Sequence, residues 1–141
     1  MESLYFPVKL SLRLDWSEMD IFHHINNVMY FKFIQASRVN YWEEVSIMKD
    51  FDTMGIGPML ASTGCQFKKP LHYPGDIVVE ARMEFIKNSS FGLHHRILNE
   101  TQEVCAEAHD VIVMYNFQKK QSVPFPPELR AAVESLEKKS F

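Results

Sequence analysis

The sequence has no long apolar run, no cluster of basic residues and only two cysteines, and each of these shortages excludes a class of protein. No uninterrupted apolar stretch approaches the length that a helix needs to cross a bilayer, so a membrane protein is not expected. The formal net charge is -3 and no Lys/Arg run is long enough for a nucleic-acid patch. The N-terminal residues lack a basic region followed by an apolar one, so the expected location is the cytoplasm.

Cysteine and histidine do not combine into a recognisable metal site. Cys65 and Cys105 have no metal-ligand spacing and fall in separate predicted strands, which favours free buried thiols. The histidine doublets at 23–24 and 94–95 invite a metal hypothesis, but neighbouring residues of a strand point to opposite faces. No Cys or carboxylate completes a known ligand set, so we expect no metal.

Length and aromatic content point to one domain with large buried surfaces. The 141 residues are enough for a single domain, 1–141, and too few for two of ordinary size. Aromatic residues make up 13% of the chain, and such a surplus of apolar surface is often buried against a partner subunit.

The apolar periodicity predicts five strands and one long helix. Residues 9–16 alternate apolar and polar side chains, as in a half-buried strand. Residues 28–42 contain no Gly or Pro and carry apolar side chains on several faces, so this helix is expected to be buried nearly all round. Further strands are predicted at 59–69, 77–87, 91–99 and 103–118, and a C-terminal helix carries an apolar stripe at 129–136.

This order of elements indicates the α+β class, with about five antiparallel strands packed around the apolar helix. Residues 111–115 are apolar without alternation, which predicts that this part of the last strand runs through the sheet centre. Residues 45–58 mix Gly and Pro with apolar side chains, as in a mobile loop that covers an apolar ligand.

Polar residues concentrate at 15–38, between the first strand and the long helix. Asn26 or Asn27 is well placed to cap the helix, because a short side-chain acceptor satisfies the unpaired amides of a first turn. Those amides lie at the positive end of the helix dipole and can polarise a carbonyl oxygen held above the helix start. Asp20 can face the same point as a base or a nucleophile, or it can simply cap a turn.

The segment EMDIFHHINNVMY, residues 18–30, resembles the signature of hot-dog-fold acyl-CoA thioesterases of the 4-hydroxybenzoyl-CoA thioesterase type. The matching residues are Glu18, Asp20, His24, Ile25, Asn26, Asn27 and Tyr30. The resemblance continues downstream and covers roughly the whole chain. It implies a hot-dog fold, in which the antiparallel sheet wraps the long central helix, with a short C-terminal helix at the end.

The resemblance also assigns roles to residues. It implies that Asp20 is the nucleophile or general base and that the backbone amide of Asn27 helps to form the oxyanion hole. His24 either orients the thioester or ties the loop together. The expected substrate-binding residues are Asn26, Tyr30, Lys87, Ser89 and Ser90, the last three in a turn that commonly meets coenzyme A in this family. Lys68 and Lys69 are further candidates for phosphate contacts by their charge. No metal or bound cofactor is needed, since coenzyme A is part of the substrate.

The resemblance implies a homodimer, or a dimer of dimers, with acyl-CoA bound at the subunit boundary. Two departures bear on this interpretation: His23 stands where many members have Gly, and Gln35 stands where an acidic residue is common. Two alternatives to the acyl-CoA thioesterase therefore stay open. One is a thioesterase whose donor is an acyl carrier protein, and the other is an acyl-CoA binding module without turnover.

Overall fold

The computed structural model describes residues 3–141. In this range the chain forms a six-stranded antiparallel sheet, and none of its helices is long and apolar enough to cross a membrane. The strands are β1 (Val8–Arg13), β2 (Ile56–Phe67), β3 (Asp76–Ile86), β4 (Ser90–Leu98), β5 (Val104–Asn116) and β6 (Gln121–Ser122). They lie in the order β1-β3-β4-β5-β2, and β6 pairs with β5.

The long helix α1 (Asn27–Val45) packs against one face of this sheet. Its buried side chains include Phe33, Ile34 and Tyr41, which share the side of the helix that faces the strands. Two shorter helices follow, α2 (Phe51–Met54) and α3 (Pro127–Glu137). The predicted α+β class, with a sheet around one long helix and a C-terminal helix, is confirmed.

The prediction that α1 is buried nearly all round is wrong for the single chain. Val28 is 64% exposed, and Phe31 and Val39 are each 39% exposed. The sheet covers only one side of a helix of this length, so the apolar residues on its other side face open space. They form an apolar surface that is available to a partner or a ligand.

Two other predictions also change. The loop expected at 45–58 is largely ordered, because it contains α2 and because β2 already begins at Ile56. The middle of the sheet is β4, whereas β5 is one strand off centre. Along β5, Ile112 and Met114 are buried but Val113 is only partly buried, because α1 covers one face and no helix covers the other.

A buried charge network joins α1 to the inner strands. Asp110 accepts hydrogen bonds from Arg38 Nε at 2.9 Å, Arg38 Nη2 at 3.0 Å, Thr63 Oγ1 at 2.7 Å and His95 Nε2 at 2.6 Å. His95 Nδ1 lies 2.8 Å from Ser37 Oγ. Burial by itself raises the pKa of Asp110, but the hydrogen bonds from His95 and Arg38 outweigh it and hold this pKa well below its usual range.

We expect Asp110→Asn to lower the free energy of unfolding by about 3 to 5 kcal/mol, because it leaves the buried Arg38 guanidinium without its counter-charge. Urea denaturation monitored by circular dichroism measures this loss. Thr63→Val removes one neutral donor from the same carboxylate and should cost only about 1 kcal/mol. Equal losses for the two variants would contradict the importance of the buried ion pair.

The opposite face of the sheet carries two stacked histidines. The rings of His94 and His109 lie 4.4 Å apart and nearly parallel. His94 Nδ1 accepts a hydrogen bond from Arg82 Nε at 3.0 Å, and His94 Nε2 lies 2.9 Å from Glu107 Oε1. Burial lowers the pKa of His94, and the adjacent His109 and Arg82 act in the same direction against the bond to Glu107. His94 is therefore held in its neutral form.

Because the folded-state pKa of His94 is depressed, protonation favours the unfolded chain. We expect stability to be fully present above the ordinary histidine pKa of about 6.5 and to be lost as the pH falls toward the folded-state value. Urea denaturation at several pH values below about 6.5 measures how the free energy of unfolding changes with pH. His94→Gln keeps an acceptor for Arg82 but does not titrate, so the free energy of unfolding of this variant should change less with pH. An unchanged pH dependence would assign the effect to another group.

Candidate active site

The loop that leads into α1 is closed by its own polar residues. A short 3-10 helix (Trp16–Glu18) is capped by Asp15, whose amide in turn donates to Glu18 Oε1 at 2.7 Å. The Glu18 carbonyl accepts from the Asn26 amide at 2.9 Å, which draws the two ends of the loop together. This capping box follows from the residue types alone, because short polar side chains satisfy free amides at helix starts.

Asp20 lies inside this closed loop with one carboxylate oxygen anchored. Its Oδ1 accepts from the Phe22 amide at 2.8 Å and from the His24 amide at 3.3 Å. Within residues 3–141 nothing donates to Oδ2, which leaves that oxygen available for chemistry. His23 adopts a left-handed conformation at φ 64°, so the loop keeps the backbone shape that Gly favours without having Gly.

The start of α1 offers an unpaired amide. Asn26 is the N-cap, and its Oδ1 accepts from the Val28 amide at 3.1 Å. The Asn26 carbonyl accepts from the Met29 amide at 2.9 Å. No acceptor in residues 3–141 takes the amide of Asn27. The N–H group that the resemblance implies for the oxyanion hole is thus unoccupied, at the positive end of a helix dipole.

Tyr30 fixes this helix start against the segment after β2. Its hydroxyl donates to the Lys69 carbonyl at 3.2 Å and accepts from the Leu71 amide at 3.0 Å. Ile25 adds a backbone bond to the Leu71 carbonyl at 2.9 Å. Burial raises the pKa of Tyr30, which keeps the phenol protonated. The substrate-binding role of Tyr30 stays a prediction, and its hydroxyl holds the backbone beside the helix start.

An open depression of about 210 Å³ brings the three predicted catalytic residues together with Tyr30. It is lined by Asp20, His24, Ile25, Asn27, Tyr30, Phe67, Lys68, Lys69 and Pro70. Asn26, the N-cap of α1, is not among these lining residues. Phe67 was not predicted as a site residue, although its place at the end of a strand just before Pro70 was visible in the sequence. The two lysines pair with Glu107 and Glu103 respectively.

The predicted coenzyme A turn lies elsewhere in the chain. Lys87, Ser89 and Ser90 belong to the β3–β4 connection, where the Lys87 amide donates to the Ser90 carbonyl at 2.8 Å. Ser90 lies opposite Val113 on β5, whereas Phe67 lies opposite Ala106. Seven residues of strand separate these points, or about 23 Å. One chain therefore does not bring the turn and the Asp20 depression together.

Comparison with known proteins decides which family has this arrangement. The family model of the thioesterase-like superfamily matches residues 14–133, which begin just after β1 and include α1 and every later strand. The chain belongs to the thioesterase-like superfamily. It is accordingly a thioester hydrolase, and the hot-dog fold that the resemblance implied is confirmed. Among residues 3–141 of this thioesterase, no group of three or more His, Cys, Asp or Glu is arranged to hold a metal ion.

Individual relatives agree with the family. The sequence is 26% identical over 127 residues to YsmA of Bacillus subtilis, a protein without a characterised function, covering 89% of this chain and 83% of YsmA. The PA2801 protein of Pseudomonas aeruginosa, a proposed thioesterase, is 27% identical with a TM-score of 0.81, covering 92% and 99% of the two chains. A Thermus thermophilus thioesterase solved with coenzyme A and Zn is 19% identical with a TM-score of 0.84, covering 96% and 98%.

Proposed function

We propose that this thioesterase hydrolyses acyl-CoA, with Asp20 as the nucleophile or general base. The observation that carries the proposal is the pairing of an unoccupied carboxylate oxygen on Asp20 with an unoccupied amide on Asn27 in one depression. A thioester carbonyl needs these two functions, an attacking or deprotonating oxygen and a donor for the developing oxyanion.

The proposed reaction starts with the carbonyl oxygen accepting from the Asn27 amide, which is aided by the dipole of α1. Asp20 then either attacks the carbonyl carbon directly or takes a proton from the water that attacks it. If Asp20 attacks, the C–S bond breaks to give an anhydride between the acyl group and Asp20, and water then hydrolyses this anhydride and restores the Asp20 carboxylate. If Asp20 is the base, the water oxygen bonds to the carbonyl carbon as the C–S bond breaks. In both cases a proton from that water passes to the thiolate, so that the products are coenzyme A and a carboxylic acid. His24 lies on the same depression, where it orients the thioester.

Coenzyme A is the preferred donor because the fold is shared with a thioesterase that was solved with coenzyme A. An acyl carrier protein remains the alternative donor. The binding module without turnover is supported by one observation: both bonds to Asp20 Oδ1 are those of an ordinary turn cap. The cytoplasmic location stays a prediction.

We expect Asp20→Asn to reduce kcat for acyl-CoA hydrolysis on the order of a hundredfold or more, because it removes the base or nucleophile. The Asn carbonyl still accepts from the Phe22 and His24 amides, so folding and coenzyme A binding should persist. Thiol release and calorimetric binding of coenzyme A measure the two effects.

Asp15→Asn is the matched control, since Asp15 is another turn-capping carboxylate of the same loop and lies outside the depression. Comparable activity of the Asp20 variant and wild type would remove Asp20 from the reaction. Tight acyl-CoA binding by a wild type that hydrolyses no thioester would support the binding module instead.

The proposed assembly is a homodimer, or a dimer of dimers, formed along the free edge of β2. Within residues 3–141 that strand pairs with β5 alone, and its residues 59–64 are exposed. An unpaired strand edge is a surface that a second copy covers well. Antiparallel pairing of two β2 strands reverses one sheet relative to the other, so the partner's turn between β3 and β4, which carries Lys87, moves toward the Asp20 depression.

In this shared site, Lys87 of one chain meets the phosphates of substrate bound at Asp20 of the other. We expect Lys87→Ala to raise KM for acyl-CoA with little change in kcat, the signature of lost uniform binding. An acyl-pantetheine substrate lacks those phosphates, so its KM should not change. Steady-state kinetics with both substrates measures the difference.

Lys139→Ala is the matched control, because both lysines lie over an aromatic ring, at 5.1 Å for Lys87 on Phe85 and 4.8 Å for Lys139 on Phe141. Equal rises in KM for both substrates would refute the phosphate contact. A protein that sediments as a monomer at full activity would refute the shared site.

A further inference from the structure

An aromatic wall borders the Asp20 depression. The rings of Phe31 and Phe67 meet edge to face with centroids 6.2 Å apart, and Phe67 also meets Tyr30 at 5.1 Å. Phe67 and Tyr30 line the depression itself, so the wall and the proposed site form one surface. Phe67 is 44% exposed, which means that much of its ring faces open space rather than the core.

Four exposed residues extend this surface in one line along α1: Val28, Phe31, Gln35 and Val39. Their spacing of three or four residues puts them on the same side of the helix. The line begins beside Asn27, whose amide is proposed to hold the carbonyl oxygen. An acyl group attached to that carbonyl meets Val28 and Phe31 first.

We infer that the acyl group of the substrate is an apolar chain of medium length that lies against Val28, Phe31 and Phe67 and ends near Gln35. This inference rests on the proposed function. Burying an alkyl chain against these side chains removes apolar surface of both from water. A hydroxylated aromatic acyl group finds no free partner in Tyr30, whose hydroxyl already donates to Lys69 and accepts from Leu71.

Gln35 sets the length of the chain. It lies eight residues after Asn27, which corresponds to about 12 Å along the helix axis. An alkyl chain that continues past this point covers the Gln35 amide and deprives it of water without offering it a hydrogen bond. Chains that stop before Gln35 avoid this penalty, and longer chains incur it.

The test compares kcat/KM for acetyl-, octanoyl-, hexadecanoyl- and hydroxybenzoyl-CoA. We expect wild type to prefer octanoyl-CoA, and Phe67→Ala to lower the octanoyl-to-acetyl ratio about tenfold or more, as lost hydrophobic contacts do in specificity pockets. Gln35→Leu should raise the hexadecanoyl-to-octanoyl ratio. Val39→Ala is the matched control, because Val39 lies on the same line of α1 but beyond Gln35. The octanoyl-to-acetyl ratio of this variant should match that of wild type.

Phe67→Leu provides a second variant in case Phe67→Ala fails to fold, and it should lower the same ratio by a smaller factor. Hydrolysis with unchanged ratios, or a preference for hydroxybenzoyl-CoA, would overturn this inference and leave the proposed function standing. No hydrolysis of any CoA thioester would overturn the proposed function.

A second copy of the chain is the other candidate to cover the aromatic wall. Sedimentation of the same variants distinguishes this arrangement from binding of the acyl chain. A variant that stays dimeric while its octanoyl-to-acetyl ratio of kcat/KM falls supports binding of the acyl chain at the wall. If Phe67→Ala instead yields monomers that lose activity equally with every acyl group, the wall is an interface between copies and the inference is overturned.

Discussion

The Asp110 carboxylate is the point on which the packing of this fold depends. Arg38 from α1, Thr63 from β2 and His95 from β4 all donate to it, while Asp110 itself belongs to β5. A buried carboxylate is tolerated only when its hydrogen bonds are made, so the helix has one favourable position over these strands. That position also sets where the first turn of α1 meets the end of β2.

The proposed site is built at that meeting point from two kinds of interaction. Local ones come from the loop itself: Asn26 caps the helix and Asp20 closes a turn through two backbone amides. Long-range ones come from Tyr30, whose hydroxyl bridges the backbone at Lys69 and Leu71. The local bonds leave one oxygen and one amide unoccupied, and the long-range bonds hold that pair beside Phe67 and the two lysines.

The two regions proposed to contact the substrate lie apart in a single chain. The Asp20 depression and the turn at 87–90 lie at opposite ends of the sheet, and the apolar side of α1 beside β2 is uncovered. Phe67 of the depression lies on the edge strand β2, whereas the turn joins the interior strands β3 and β4. The proposed pairing of two β2 edges joins the two ends across two chains.

The sequence by itself determined what depends on near neighbours. It predicted α1 and the strands from their periodicity, the N-cap at position 26 or 27, and a polar loop around Asp20 aimed at the helix start. These are local because hydrogen bonds of caps and turns join residues a few positions apart. Only the tertiary structure decided which strand lies at the centre, that α1 keeps an exposed apolar side, that Phe67 joins the site and that Lys87 lies far from Asp20. Those facts depend on strand order and register, which bring together residues far apart in the chain and leave no periodic mark in the sequence.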